Sequence, residues 1–115
     1  MTDFVLVPSP DYAAELLRLV PSFAASREYE ILDDTERAIT GVVFSTFAKF
    51  MEASYGRQSF IEECASAIEH FASINDPEAE NYIVTEVFEV FRRPDVSKNL
   101  LLPMSKALYA RWIGA

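Results

Sequence analysis

The chain has 115 residues, half of them apolar by type, and a formal net charge of −8. That length and apolar share suit one domain with one hydrophobic core, and a single cysteine, Cys64, excludes an intramolecular disulfide and a cysteine-built metal centre. No window approaches the roughly 20 apolar residues that span a bilayer, so no membrane partner is expected.

The charge is unevenly spread. Residues 1–91 carry 17 acids against 5 bases, net −12, while residues 92–115 carry Asp95 against five bases, net +4. An acidic body repels nucleic acid and anionic lipid, so no nucleic-acid partner is expected either. It attracts a basic protein. The plainer reading of the same charge is colloidal solubility. The opening MTDFVLVPSPDY has an apolar run of four residues and no basic flank, and does not read as a secretory signal. With one cysteine, the expected setting is cytoplasmic.

In chain order, residues 4–7 form a short apolar segment suited to extended docking. Ser9-Pro10-Asp11 is a helix start, with Ser9 as cap, Pro10 at the first helical position and Asp11 complementing the dipole. The first helix carries Tyr12, Ala13, Leu16, Leu17 and Val20 on one side and stops near Pro21, which cannot continue the hydrogen-bond ladder. Phe23-Ala24-Ala25 suits a short extra turn. REYEILDDTER, residues 27–37, reads as a polar connection anchored by Ile31 and Leu32, with Asp34 or Thr35 capping the second helix.

That second helix, AITGVVFSTFAKFMEA over residues 38–53 and running to about Ser54, is the expected centre of the fold. Ile39, Val42, Val43, Phe44, Phe47, Phe50 and Met51 cover most of its circumference, leaving Gly41, Ser45, Lys49 and Glu52 as a narrow polar strip. A helix apolar on several sides needs neighbours on several sides. Tyr55-Gly56 is its stop. Ser59 and Glu62 have capping-box spacing for a third helix starting near Phe60, with Phe60, Ile61, Cys64, Ala65, Ile68, Phe71 and Ala72 on its apolar face. Asp76-Pro77 starts a fourth, to about Phe91, and Pro103 a last one, to about Ile113. The short connections favour antiparallel neighbours. The expected fold is all-α: a single domain over residues 1–115, a compact bundle or helical-hairpin stack of about five helices around the second.

Little in the chain carries chemistry. His70 is the one histidine; no Glu-x-x-His or His-x-x-x-His pair accompanies it, so no metal site is read. Cys64 sits on an apolar face, where a small buried hydrophobe is the ordinary role. Gly41, Gly56 and Gly114 form no phosphate-cradling loop. No nucleophile and base stand at readable spacing, so no catalytic residue and no cofactor is assigned. Two acidic groups remain: Glu28, Glu30, Asp33, Asp34 and Glu36, then Asp76, Glu78, Glu80, Glu86 and Glu89. Read structurally, they complement helix starts and wet a face. Read functionally, they dock the Lys and Arg side chains of a basic protein, with Tyr29, Tyr55 and Tyr82 nearby as anchors.

Three stretches also suggest a relationship. ELLRLVPSF (residues 15–23), VVFSTFAKFME (42–52) and IEHFASINDPEAENYIVTEVFEVF (68–91) together resemble a family of small uncharacterised bacterial helical domains. Some of these look like immunity proteins of polymorphic or contact-dependent toxin systems. The resemblance spans about residues 12–113, rests on packing motifs and carries over no catalytic residue. It implies a bacterial cytoplasmic protein that binds another protein.

The expectation is therefore a non-catalytic protein-binding module, most concretely an immunity protein covering the basic active-site face of a toxin. Its expected contacts are Glu28, Glu30, Asp33, Asp34, Asp76, Glu78, Glu80, Tyr29 and Tyr82. The alternative is a self-associating subunit, a homodimer using surplus apolar residues at Leu100, Leu101, Leu102, Met104, Trp112 and Ile113.

Overall fold

A computed structural model describes residues 11–54, 57–89 and 103–112. Every regular element among them is helical: α1 (Tyr12–Leu19), α2 (Pro21–Ala24), α3 (Arg27–Glu30), α4 (Asp34–Arg37), α5 (Thr40–Ala53), α6 (Gln58–Ser73), α7 (Pro77–Tyr82) and α8 (Pro103–Trp112). The chain is an all-α bundle, as the periodicity predicts. Residues 4–7, Ser9, Pro10, Tyr55, Gly56, Leu100–Leu102 and Ile113 lie outside the described residues.

Local chemistry explains most boundaries, and in places corrects the expected ones. The cap of α1 is Asp11, whose carboxylate accepts the Ala14 N–H at 3.0 Å, so this acid stands before the helix rather than inside its first turn. Pro21 ends α1 and opens α2, where its missing N–H costs nothing. The polar run 27–37 is not a plain connection: it folds into α3 and α4. Ser26 caps α3. Asp33 caps α4 in a reciprocal capping box with Glu36, and neither Asp34 nor Thr35 caps α5, whose cap residue is Ile39 with no side-chain bond. The Ser59–Glu62 spacing is not used as a box, because α6 starts one residue before Ser59 with Arg57 as its cap and no side-chain cap bond. Asp76 and Pro77 open α7 as the sequence indicates.

α5 is central. It contacts α1, α3, α4, α6 and the segment directly after α7. Val43, Phe44, Thr46, Phe47, Ala48, Phe50 and Met51 are buried on it. Ile39 is the exception to the expected apolar wheel: it is the extended N-cap residue, lies outside the helix and is half exposed.

Two aromatic runs cross the core. Tyr12 meets Phe71 edge-on, Phe71 meets Phe44, and Phe44 stacks on Tyr82 with rings 5.3 Å apart and 10° from parallel. Phe23 packs against Phe47, Phe50 and Tyr29, and Phe50 continues to Phe60. Such offset and edge-to-face pairs add about 0.5–1.5 kcal/mol beyond the area they bury.

α7 does not continue as a regular α-helix. Residues Ile83–Phe88 are π-helical, and the Glu89 N–H reaches the Val84 carbonyl five residues back, at 3.1 Å. The wider turn places Ile83, Val87 and Phe88 in the core together. No breaker residue accounts for it, since the segment IVTEVF contains neither Gly nor Pro.

Asn75, directly after the cap residue of α6, has φ 57°. Only Gly, and less readily Asn or Asp, takes this left-handed conformation cheaply. We expect Asn75→Ala to destabilise by about 1 kcal/mol and Asn75→Gly to be neutral or mildly stabilising. Urea midpoints of the two variants check this; equal midpoints would show that the left-handed turn carries no cost.

Candidate functional site

The nine residues expected to contact a partner fall on two different parts of the bundle. Tyr29, Glu28, Glu30, Asp33 and Asp34 belong to α3, α4 and the turn between them. Asp76, Glu78, Glu80 and Tyr82 belong to the start and body of α7.

The α7 group is largely committed within the fold. Asp76 accepts the Tyr12 hydroxyl and also the Glu78 N–H at 3.0 Å. That hydrogen bond, with burial, pushes the Tyr12 phenol up to about 12, so it remains a donor. Glu80 pairs with Arg111 of α8 at 3.3 Å. Tyr82 is a half-buried core residue stacked on Phe44 rather than a free anchor. Glu86 crosses to α5, where a Cβ added at Gly41 would stand 3.3 Å from its carboxylate. Glu78 stays exposed.

The α3–α4 group is different. Asp33 and Glu36 spend their carboxylates on each other's N–H groups, at 2.8 and 3.0 Å. Arg37 straps the end of α3: its guanidinium lies 4.7 Å from the Tyr29 ring centroid and donates to the carbonyls of Tyr29 and Glu30 at 3.4 and 3.1 Å. Tyr29 packs edge-on against Phe23, so it too is partly core. Glu30, Asp33, Asp34 and Glu36 are exposed, while Glu28 is half buried.

Two residues expected on the inside are found outside. Ile31, expected with Leu32 to anchor this segment, is 73% exposed, while Leu32 is half buried; Ile39 is 50% exposed. Both stand just beyond short helical turns that rotate away from a coil's expected path. Thus α4 is bracketed by two exposed isoleucines and carries acids between them. The sequence contained one hint: an Ile inside a run with five acids has few apolar neighbours to bury it.

Elsewhere the fold uses its titratable groups internally. His70 and Glu15 meet at 2.9 Å between α6 and α1. Glu63 of α6 accepts the Ser22 hydroxyl at 3.2 Å. Glu69 accepts both the N–H and the hydroxyl of Ser105, at 2.9 and 2.7 Å. Burial, with Glu63 adding to it, pushes the Cys64 thiol up to about 12, which keeps it protonated and a poor nucleophile at neutral pH. Among the described residues no three His, Cys, Asp or Glu side chains converge as a metal site, and no helix is long and apolar enough to cross a membrane.

No family model, curated protein or solved structure matches this chain.

Proposed function

We propose that the chain is a non-catalytic protein-binding module that docks a basic partner through the α3–α4 face. The reading is carried by one observation: exposed Ile31 and Ile39 stand on either side of α4, among the exposed carboxylates of Glu30, Asp34 and Glu36. Protein interfaces combine apolar and polar contacts, and exposed isoleucines beside carboxylates supply both kinds. Complementary charge speeds encounter with a basic surface, and the desolvated apolar contacts slow release. The resemblance to immunity proteins makes the reading concrete: a cytoplasmic bacterial protein that neutralises a toxin by covering its basic active-site face. In this reading Glu28, Glu30, Asp33 and Asp34 belong to the docking side. Asp76 and Glu80 have their main work inside the fold.

The test spares the caps. Asp33 and Asp76 hold helix starts, so reversing them confuses docking with folding. Ile31→Asp, Glu30→Lys and Asp34→Lys change exposed side chains only. Wild type, tagged and returned to its native host at low salt, should retain a basic protein in stoichiometric amount. The triple variant should lose it by tenfold or more with its circular dichroism unchanged. Equal retention by both proteins would remove the α3–α4 face from the proposal.

A further inference from the structure

We infer that the groove between the α2–α3 junction and the facing ends of α5 and α6 is a binding site for a small anionic ligand, a phosphate or carboxylate carried on a flat apolar body. The groove is half open, with a volume of about 410 Å³, and its lining includes Ser26, Arg27, Glu28, Phe50, Arg57 and Phe60. Small-molecule sites typically fall between about 300 and 1,000 Å³, with apolar walls and a few placed polar groups. This groove has both.

The charge is the first argument. Five basic residues stand among the first 91, and two of them, Arg27 and Arg57, line this one groove. Arg18 has Glu15, and Arg37 is held by carbonyls and the Tyr29 ring. Arg27 and Arg57 have no carboxylate partner among the described residues. In so acidic a protein, two guanidinium groups left unpaired beside the same opening suit an anion from outside. Planar guanidinium donors match phosphate and carboxylate oxygens two at a time.

The walls are the second argument. The Arg57 guanidinium lies 5.5 Å from the Phe60 ring centroid, and Phe60 continues onto Phe50. Phe50 is buried behind it, so half-buried Phe60 and the Arg57 guanidinium are the surfaces on which a flat ligand ring would stack. Arg57 is also the cap residue of α6, so the positive end of a 16-residue helix dipole lies beside the same opening. Glu28 accepts a donor on the ligand and disfavours a bare, highly charged anion.

The groove shares Glu28 with the docking side, and the two proposals are tested apart: the partner capture leaves Arg27 and Arg57 unchanged, and the titration below uses no protein partner. The test is an amide NMR titration of the full chain with phenyl phosphate, benzoate, phenol and inorganic phosphate. Phenyl phosphate or benzoate should shift the Arg27, Arg57 and Phe60 amides saturably, with dissociation constants of millimolar or below. Which of the two binds tighter identifies the anion. Phenol and inorganic phosphate, each lacking one half of the match, should bind at least fivefold more weakly. Arg27→Gln with Arg57→Gln should weaken binding tenfold or more while the remaining spectrum overlays wild type. Phe60→Leu should reduce the preference for phenyl over inorganic phosphate. Shifts that do not saturate, or equal affinity in the arginine variant, would overturn the assignment.

Discussion

Phe44→Ala is expected to destabilise the fold by about 3–5 kcal/mol, the cost of removing a fully buried aromatic side chain from a packed core. Phe44 is 0% exposed, stacks on Tyr82 and meets Phe71 edge-on at 5.2 Å. Its ring joins α5 to α6 and to α7, so the cavity left behind opens at the meeting point of three helices and cannot close by a local shift. Total stabilities of small domains are about 5–15 kcal/mol, so the loss is a large fraction of the whole. Urea unfolding followed by circular dichroism measures it. The informative control is Ile39→Ala, on the same stretch of sequence. Ile39 is half exposed outside the helix, and its truncation should move stability by no more than about 0.5 kcal/mol. Similar costs for the two would mean that the packing around α5 is not as described.

Glu69→Ala is expected to cost about 2–4 kcal/mol, because it strips a charged acceptor from two donors of a fully buried residue. Ser105 is 0% exposed, and its N–H and hydroxyl both end on one oxygen of Glu69. That N–H belongs to the first turn of α8, which has no partner within its own helix. The carboxylate also faces the positive end of the α8 dipole. Glu69 thus caps α8 from a different helix. The loss should be partly local: amides of residues 105–112 should lose hydrogen-exchange protection before those of α5. Glu69→Gln keeps a carbonyl acceptor and should recover about half of the loss. If α8 kept its protection in Glu69→Ala, the attachment would have to come from Leu108 and the Phe88–Tyr109 contact instead.

The two variants differ in how far they are foreseeable. Phe44 belongs to an apolar pattern wide enough to identify α5 as the central helix without any coordinates. Glu69 offers no such signal. It sits on the polar side of α6 and reads as one more solvated acid, and its partner lies 36 residues away. The same contrast divides the candidate contacts. Sequence spacing marks Asp76-Pro77 as a helix start, because a cap acts on the next few residues. It could not show that Asp76 also takes the Tyr12 hydroxyl from α1, 64 residues away.

The sequence by itself determined the helical class, the central position of α5, the breaks at Pro21, Asp76-Pro77 and Pro103, and the acidic balance of the body. Each depends on residues within a turn or two of one another, where 3.6-residue periodicity, caps and proline stops act. Tertiary structure alone decided that Ile31 faces out, that Arg27 and Arg57 share a groove, and that Glu69 serves α8. The physical reason is the range of the forces that decide them. Neighbouring residues on a short turn differ in direction by about 100°, so a one-residue change in where the turn begins exchanges inside for outside. Which distant groups then meet depends on how the helices close around α5, a result of packing the whole core at once.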